Sequence, residues 1–142
     1  MIDEITITTS TTSTNSPTIT ISNLNYNVNY NYSSSGGLIG YSQNTTINNS
    51  INKMKIFGNS VGAGLVGVTT ALLEINNSYN TKDVDCLNYA GGLVGVIENS
   101  NNDVSISNSY NSTNIMAIKS GGLVGEISNN IGNIYIENSF NA

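Results

Sequence analysis

Four times along this chain a glycine-rich pentapeptide returns, as GGLIG at 36–40, AGLVG at 63–67, GGLVG at 91–95 and GGLVG at 121–125. The motif leucines, Leu38, Leu65, Leu93 and Leu123, stand 27, 28 and 30 residues apart. A second element keeps the same beat: INNSIN at 47–52, INNSYN at 75–80, ISNSYN at 106–111 and IENSFN at 136–141. Two linked motifs at one period mean that one small unit is built again and again. Periods of about 20–50 residues belong to solenoids, propellers and arrays.

The local pattern selects a β type. Ile56, Val84 and Ile115 each follow Ile51, Tyr79 and Tyr110 by five residues, giving each repeat a third short apolar segment. Runs are short and alternate with period two, and none shows the spacing of an amphipathic helix. The expected fold is all-β: a parallel β-helix of about four coils of 27–31 residues with three short strands per coil. The expected division is an N-terminal strand and Ser/Thr-rich linker or cap over 1–17, then the solenoid over 18–142.

In such a fold equivalent residues stack at about 4.8 Å. Period two places Leu73, Ile75, Asn77 and Tyr79 on one face, matched by Val104, Ile106, Asn108 and Tyr110 and by Ile134, Ile136, Asn138 and Phe140, with Thr45, Ile47, Asn49 and Ile51 in the first repeat. This predicts aliphatic columns, an aromatic column and a structural ladder of inward asparagines, Asn49, Asn77, Asn108 and Asn138. An inward amide without partners costs about 1–3 kcal/mol, so these residues are expected to bond to one another or to the turn backbone at a corner of the coil.

The glycines admit two readings. A phosphate cradle needs a following helix and a basic residue, and neither accompanies the motif. A repeated corner needs only a residue that tolerates positive φ or close backbone approach. Gly37, Leu38, Gly40, Gly64, Leu65, Gly67, Gly92, Leu93, Gly95, Gly122, Leu123 and Gly125 are therefore assigned to that corner.

Composition narrows the function. Charged residues are 9% of the chain, while Asn alone accounts for 26 of 142 residues. Nine acids stand against four lysines and no arginine, so no basic stripe exists to neutralise phosphates and nucleic-acid binding is not expected. No apolar run reaches the roughly 20 residues of a membrane span. MIDEITITTS lacks the basic and apolar regions of a signal peptide, which for a secreted chain means a signal already removed or an excerpt. Sequons at Asn31, Asn44, Asn48, Asn76 and Asn111 lend secretion slight support in a chain so rich in Asn and Ser. Cys86, the only cysteine, sits between Val84 and Leu87 and reads as a small buried side chain.

The four GLVG-type cores and their Asn-Ser-Tyr partners resemble the GLUG motif, a repeat of large bacterial surface proteins including adhesins and the IgA-specific metallopeptidases. The resemblance covers about residues 36–142, with a degenerate half-repeat in ITISNLNYN. It implies a secreted or cell-surface setting and a β-solenoid stalk or adhesive region. The protease activity of that family does not transfer, because the chain has no His and no HExxH zinc site.

Other chemistry is thinly provided. Asp83 and Asp85 are the closest acidic pair, but the matching positions elsewhere are Lys55 with Phe57 and Asn114 with Met116, which reads as a solvated strand face rather than a polysaccharide-cleaving site. The GGxGxD calcium repeat is absent, and Glu98 and Glu126, near the ends of successive GLVG strands, read as surface residues. Without His, Arg or Trp, no enzyme activity, metal or cofactor is expected. Tyr26, Tyr30, Tyr32, Tyr41 and Tyr89 could hold a surface glycan. Threonine ranks of an ice-binding face do not recur with the repeat.

The ends suggest assembly. An exposed terminal coil presents unpaired backbone groups. The sequence ends directly after IENSFN, so the fourth coil lacks its third strand, and Ile5 and Ile7 alternate with Thr in EITITT. That segment either folds back as a local cap or adds to the open last coil of another copy. The function expected is that of an extracellular or cell-surface structural protein, a self-assembling filament or stalk subunit stacking head to tail. The alternative is an adhesin segment binding a host glycan or protein through an exposed sheet face.

Overall fold

The computed structural model describes residues 20–21, 34–98 and 100–142. Among them every regular element is a strand and every strand pair is parallel. The chain winds as a β-solenoid of about four coils, and each side of the coil contributes one strand per turn to a sheet running along the axis.

Five such sheets result. Sheet I stacks Ser34–Gly36, Val61–Ala63, Tyr89–Gly91 and Lys119–Gly121. Sheet II stacks Ile39–Ser42, Val66–Thr69, Val94–Glu98 and Val124–Ser128. Sheet III holds Thr45–Asn48, Leu73–Asn76, Val104–Ser107 and Ile134–Glu137. Sheet IV holds Thr20–Ile21, Ile51–Asn52, Tyr79–Asn80, Tyr110–Asn111 and Phe140–Asn141. Sheet V holds Ile56–Gly58, Val84–Cys86 and Ile115–Met116 among the described residues.

A coil therefore has five short strands where the spacing predicted three. Two of the three expected strands are each divided by a corner: the Gly-Leu pair of GLVG separates sheets I and II, and the Asn before the serine of NSYN separates sheets III and IV. Register across the coils is 27, 28, 31 and 30 residues. The longer turns arise where the chain leaves sheet II. Ile97 lies opposite Thr69, yet Val104 lies opposite Leu73, so the extra residues bulge between them. Ser100 closes that bulge by donating to the Asn102 carbonyl at 2.9 Å and accepting the Asn102 amide at 3.1 Å.

The core is narrow and columnar. Leu65, Leu93, Leu73, Ile75, Val104 and Ile106 are fully enclosed, with Leu38, Leu123 and Ile134 half-buried at the two ends of the same cluster. Ile56, Val84, Cys86 and Ala90 form a second cluster beside sheet V. Apolar burial at about 25 cal/mol per Å² supplies the drive. Because the backbone bonds run between coils, each added coil extends the ladders of the sheets that its strands join.

Candidate functional site

The most densely built feature is the Asn-Ser-aromatic-Asn corner between sheets III and IV. Its first asparagine takes left-handed φ in every coil, 50° at Asn49, 49° at Asn77, 50° at Asn108 and 50° at Asn138. Asn is, after Gly, a residue that accepts this conformation. A left-handed residue breaks the in-and-out alternation of a strand. Leu73 and Ile75 point inward before Asn77, and Ser78 and Asn80 point inward after it, leaving Tyr79 outward.

This corrects the inward placement of Asn49, Asn77, Asn108 and Asn138. They turn the corner with their side chains at the surface, where Asn77 Nδ2 donates to Asn49 Oδ1 at 2.6 Å and Asn108 Nδ2 to Asn76 Oδ1 at 3.2 Å. The buried amide ladder stands three residues later. Asn52 donates from Nδ2 to Asn80 Oδ1 at 2.8 Å, Asn80 to Asn111 at 2.8 Å, and Asn111 to Asn141 at 2.7 Å. Asn52, Asn80 and Asn111 are completely enclosed.

The serines between them form a second internal column. The backbone N–H of Ser50 donates to Ser78 Oγ at 3.0 Å, that of Ser78 to Ser109 Oγ at 3.0 Å, and that of Ser109 to Ser139 Oγ at 3.1 Å. Each hydroxyl donates its own proton to the carbonyl two residues back, as Ser78 does to Asn76 at 2.9 Å. Outside, the Tyr79 and Tyr110 rings stack at 4.6 Å and the Tyr110 and Phe140 rings at 5.4 Å, nearly parallel. The expected aromatic column exists, on the outer side of the wall.

The glycine motif answers the asparagine ladder. A β-carbon on Gly37 would come within 2.5 Å of Asn52 Cγ, one on Gly92 within 2.5 Å of Asn111 Cβ, and one on Gly122 within 2.6 Å of Asn141 Cβ; one on Gly64 would strike Asn80. Only a residue without a side chain leaves that room. The same glycine also faces backbone, since a β-carbon on Gly37 would strike the Gly64 carbonyl oxygen and one on Gly92 that of Gly122. At the second glycine backbone is again close, a β-carbon on Gly67 lying 2.5 Å from the Gly40 carbonyl oxygen, on Gly95 2.5 Å from that of Gly67, and on Gly125 2.6 Å from that of Gly95. No described glycine has positive φ, so close approach and not left-handed conformation explains the corner. Leu38, Leu65 and Leu93 donate their N–H groups to Leu65, Leu93 and Leu123 in the following coils at 3.0, 3.1 and 2.9 Å.

Ionisable groups are dispersed. Lys55 lies 3.9 Å from Asp83 and 5.0 Å from the Phe57 ring centre, and Asp83 also accepts the Asn114 amide at 3.3 Å. Glu126 pairs with Lys119 at 3.4 Å. Among the described residues no three His, Cys, Asp or Glu side chains converge on a point. Cys86 is buried and free, and burial, with Asp85 beside it, pushes its thiol up to about 11.

An open furrow of about 310 Å³ runs along the outside between sheets I and II, lined by Tyr41, Val61, Val68, Tyr89, Glu98 and Glu126 among others. Tyr41 is well exposed there and bonds through its hydroxyl to Thr70 at 3.0 Å. Tyr26, Tyr30 and Tyr32, like the proposed assembly residues Ile5 and Ile7, lie outside the described residues. None of the described residues forms a helix long and apolar enough to cross a membrane. Comparison of the chain with protein-family models, with curated proteins and with solved structures yields no match in any of the three.

Proposed function

We propose that the chain is a non-catalytic structural element of the cell exterior, a stalk or filament segment that stacks end to end through its coils. One observation carries this reading: amide, hydroxyl, aromatic and backbone ladders run through successive coils along one axis. In the last described coil Ile118, Ile127, Ile131, Tyr135, Ile136 and Phe140 are exposed, although their counterparts in inner coils include the enclosed Ile97 and Ile106. Apolar surface of this kind gains about 25 cal/mol for each Å² that another coil covers. The extracellular setting rests on the resemblance of the repeats to the GLUG motif. The structural role is supported by the way the polar residues bond along the axis instead of gathering into a cleft.

Negative-stain electron microscopy of the full chain and of a chain lacking residues 1–16, across a concentration series, tests the reading. Filaments or end-joined rods that lengthen with concentration are expected. Their loss on truncation would assign the joint to the strand of Ile5 and Ile7. Isolated short particles at every concentration would overturn end-to-end stacking.

The outer furrow supports a second reading, an adhesin segment that seats a glycan on Tyr41 and Tyr89. Saturable binding to a glycan array that Tyr41→Ala abolishes, with the fold intact by circular dichroism, would favour it over a purely mechanical role.

A further inference from the structure

The outer side of sheet IV holds two phenols in an arrangement found nowhere else among the described residues. Tyr79 and Tyr110 are direct partners in successive coils, and their rings lie 4.6 Å apart with an angle of 8° between the planes. Both side chains are half-buried, so solvent reaches them while each ring packs on the other. The residues that continue this ladder are not phenols. Ile51 lies opposite Tyr79, and Phe140 lies opposite Tyr110 with its ring 5.4 Å away. The other described tyrosines have no tyrosine in register: Tyr41 lies opposite Val68, Tyr89 between Val61 and Lys119, and Tyr135 opposite Ser105.

We propose that Tyr79 and Tyr110 form an oxidative cross-linking site, at which a haem peroxidase with hydrogen peroxide joins two successive coils through a dityrosine bond. Each phenol O–H gives up one electron and one proton to the oxidant, and the peroxide is reduced to two molecules of water. Each phenoxyl radical spreads its unpaired electron onto the ring carbons beside the oxygen, Cε1 and Cε2. The two radicals pair to form one Cε–Cε bond. The hydrogen on each bonded carbon then moves to the phenol oxygen of its own ring and restores aromaticity. The chain has lost two hydrogen atoms and gained one covalent bond.

Register and stacking supply what this chemistry lacks in solution, where two radicals must first meet. Held ring on ring, the partners react within one molecule at a high effective concentration. Phenylalanine has no phenol hydrogen to give, so Phe140 bounds the site on one side as Ile51 does on the other, and coupling stops at one bond. That bond ties together coils that no internal disulfide can join, because Cys86 is the only cysteine. It restricts the unfolded chain as a disulfide does. The site lies within one chain and does not depend on end-to-end stacking.

The test treats the full chain, at high dilution, with a haem peroxidase and hydrogen peroxide, beside N-acetyltyrosinamide as a check that the oxidant couples phenols. The product is denatured and cleaved after Lys and Glu, which places Tyr79 in 75–82, Tyr89 in 83–98 and Tyr110 in 99–119. Mass spectrometry should find 75–82 joined to 99–119 with the loss of two hydrogens, in about ten-fold or greater excess over any other joined pair of peptides. The treated chain should keep the size of a single chain, show dityrosine fluorescence and unfold at a higher urea concentration. Tyr79→Phe should abolish the linked pair with an unchanged circular dichroism spectrum. Adding Phe140→Tyr to that variant should restore coupling one coil further on, between 99–119 and 138–142. Links spread without preference among the tyrosine peptides, or no link between 75–82 and 99–119 while N-acetyltyrosinamide is coupled, overturn the proposal.

Discussion

At the residue scale, each position of the Asn-Ser-aromatic-Asn motif has a separate physical task. The first asparagine turns the chain, the serine and the last asparagine carry polar ladders through an apolar wall, and the aromatic ring seals the outside. Asn80→Leu removes the acceptor of Asn52 and the donor of Asn111 together and frees the Lys82 backbone groups. Asn111 Oδ1 keeps the Thr113 hydroxyl, so the stranded groups are the Asn52 amide hydrogen and the Lys82 backbone, and at about 1–3 kcal/mol each they give an expected loss of about 3 kcal/mol in urea unfolding. Asn77→Gly, which keeps the left-handed corner, should change stability by no more than about 0.5 kcal/mol. Cys86 adds a pH dependence. Its folded value, about 11, lies above the ordinary thiol value, so the folded state resists forming the thiolate. The associated stability is fully present below the thiol's unfolded value and is lost as pH rises through that value toward about 11. Unfolding midpoints measured from pH 7 to 11 should fall across that window in the wild type and fall less in Cys86→Ala.

At the scale of elements, the two repeat motifs are one device. Gly92 is a glycine because the Gly122 carbonyl and the Asn111 side chain together fill the space its side chain would take, and the contact with asparagine recurs as Gly37 with Asn52, Gly64 with Asn80 and Gly122 with Asn141. Their common period in the sequence expresses this contact. The outer stack is a lesser contribution: Tyr110→Ala breaks both ring contacts of Tyr110 and should lower stability by about 1–3 kcal/mol, read as a shift in the urea midpoint without change in far-ultraviolet dichroism. The sequence showed the columns but misjudged which asparagines enter the wall. Period two holds only while every residue stays in the β region, and a single left-handed residue inside ISNSYN reversed the phase. The same left-handed residue divides the strand of sheets III and IV, while the strand of sheets I and II is divided at the Gly-Leu corner without positive φ, so five strands looked like three.

At the scale of the molecule, stability comes from repetition along one axis and hardly from charge. The two described ion pairs, Lys55 with Asp83 and Lys119 with Glu126, are exposed at 3.9 and 3.4 Å. Raising sodium chloride from 20 to 500 mM, concentrations chosen on the order of magnitude that takes the screening length from about 20 to about 4 Å, should change the unfolding free energy by less than about 1 kcal/mol. A larger loss would mean that charge contributes more to the stack than these pairs indicate.

The linear order of residues by itself determined the coil number, the period, the all-β class and the stacking of like on like, because these follow from recurrence and need no knowledge of direction or depth. Only the tertiary structure decided which asparagines are buried, why the glycines are required and which way the ladders run. Depth depends on backbone conformation at one residue per coil, and the glycine's partner lies across the interior in the same coil's later strand. The direction of the amide ladder is fixed by a backbone carbonyl two residues ahead, a contact that exists only once the chain has turned its corner.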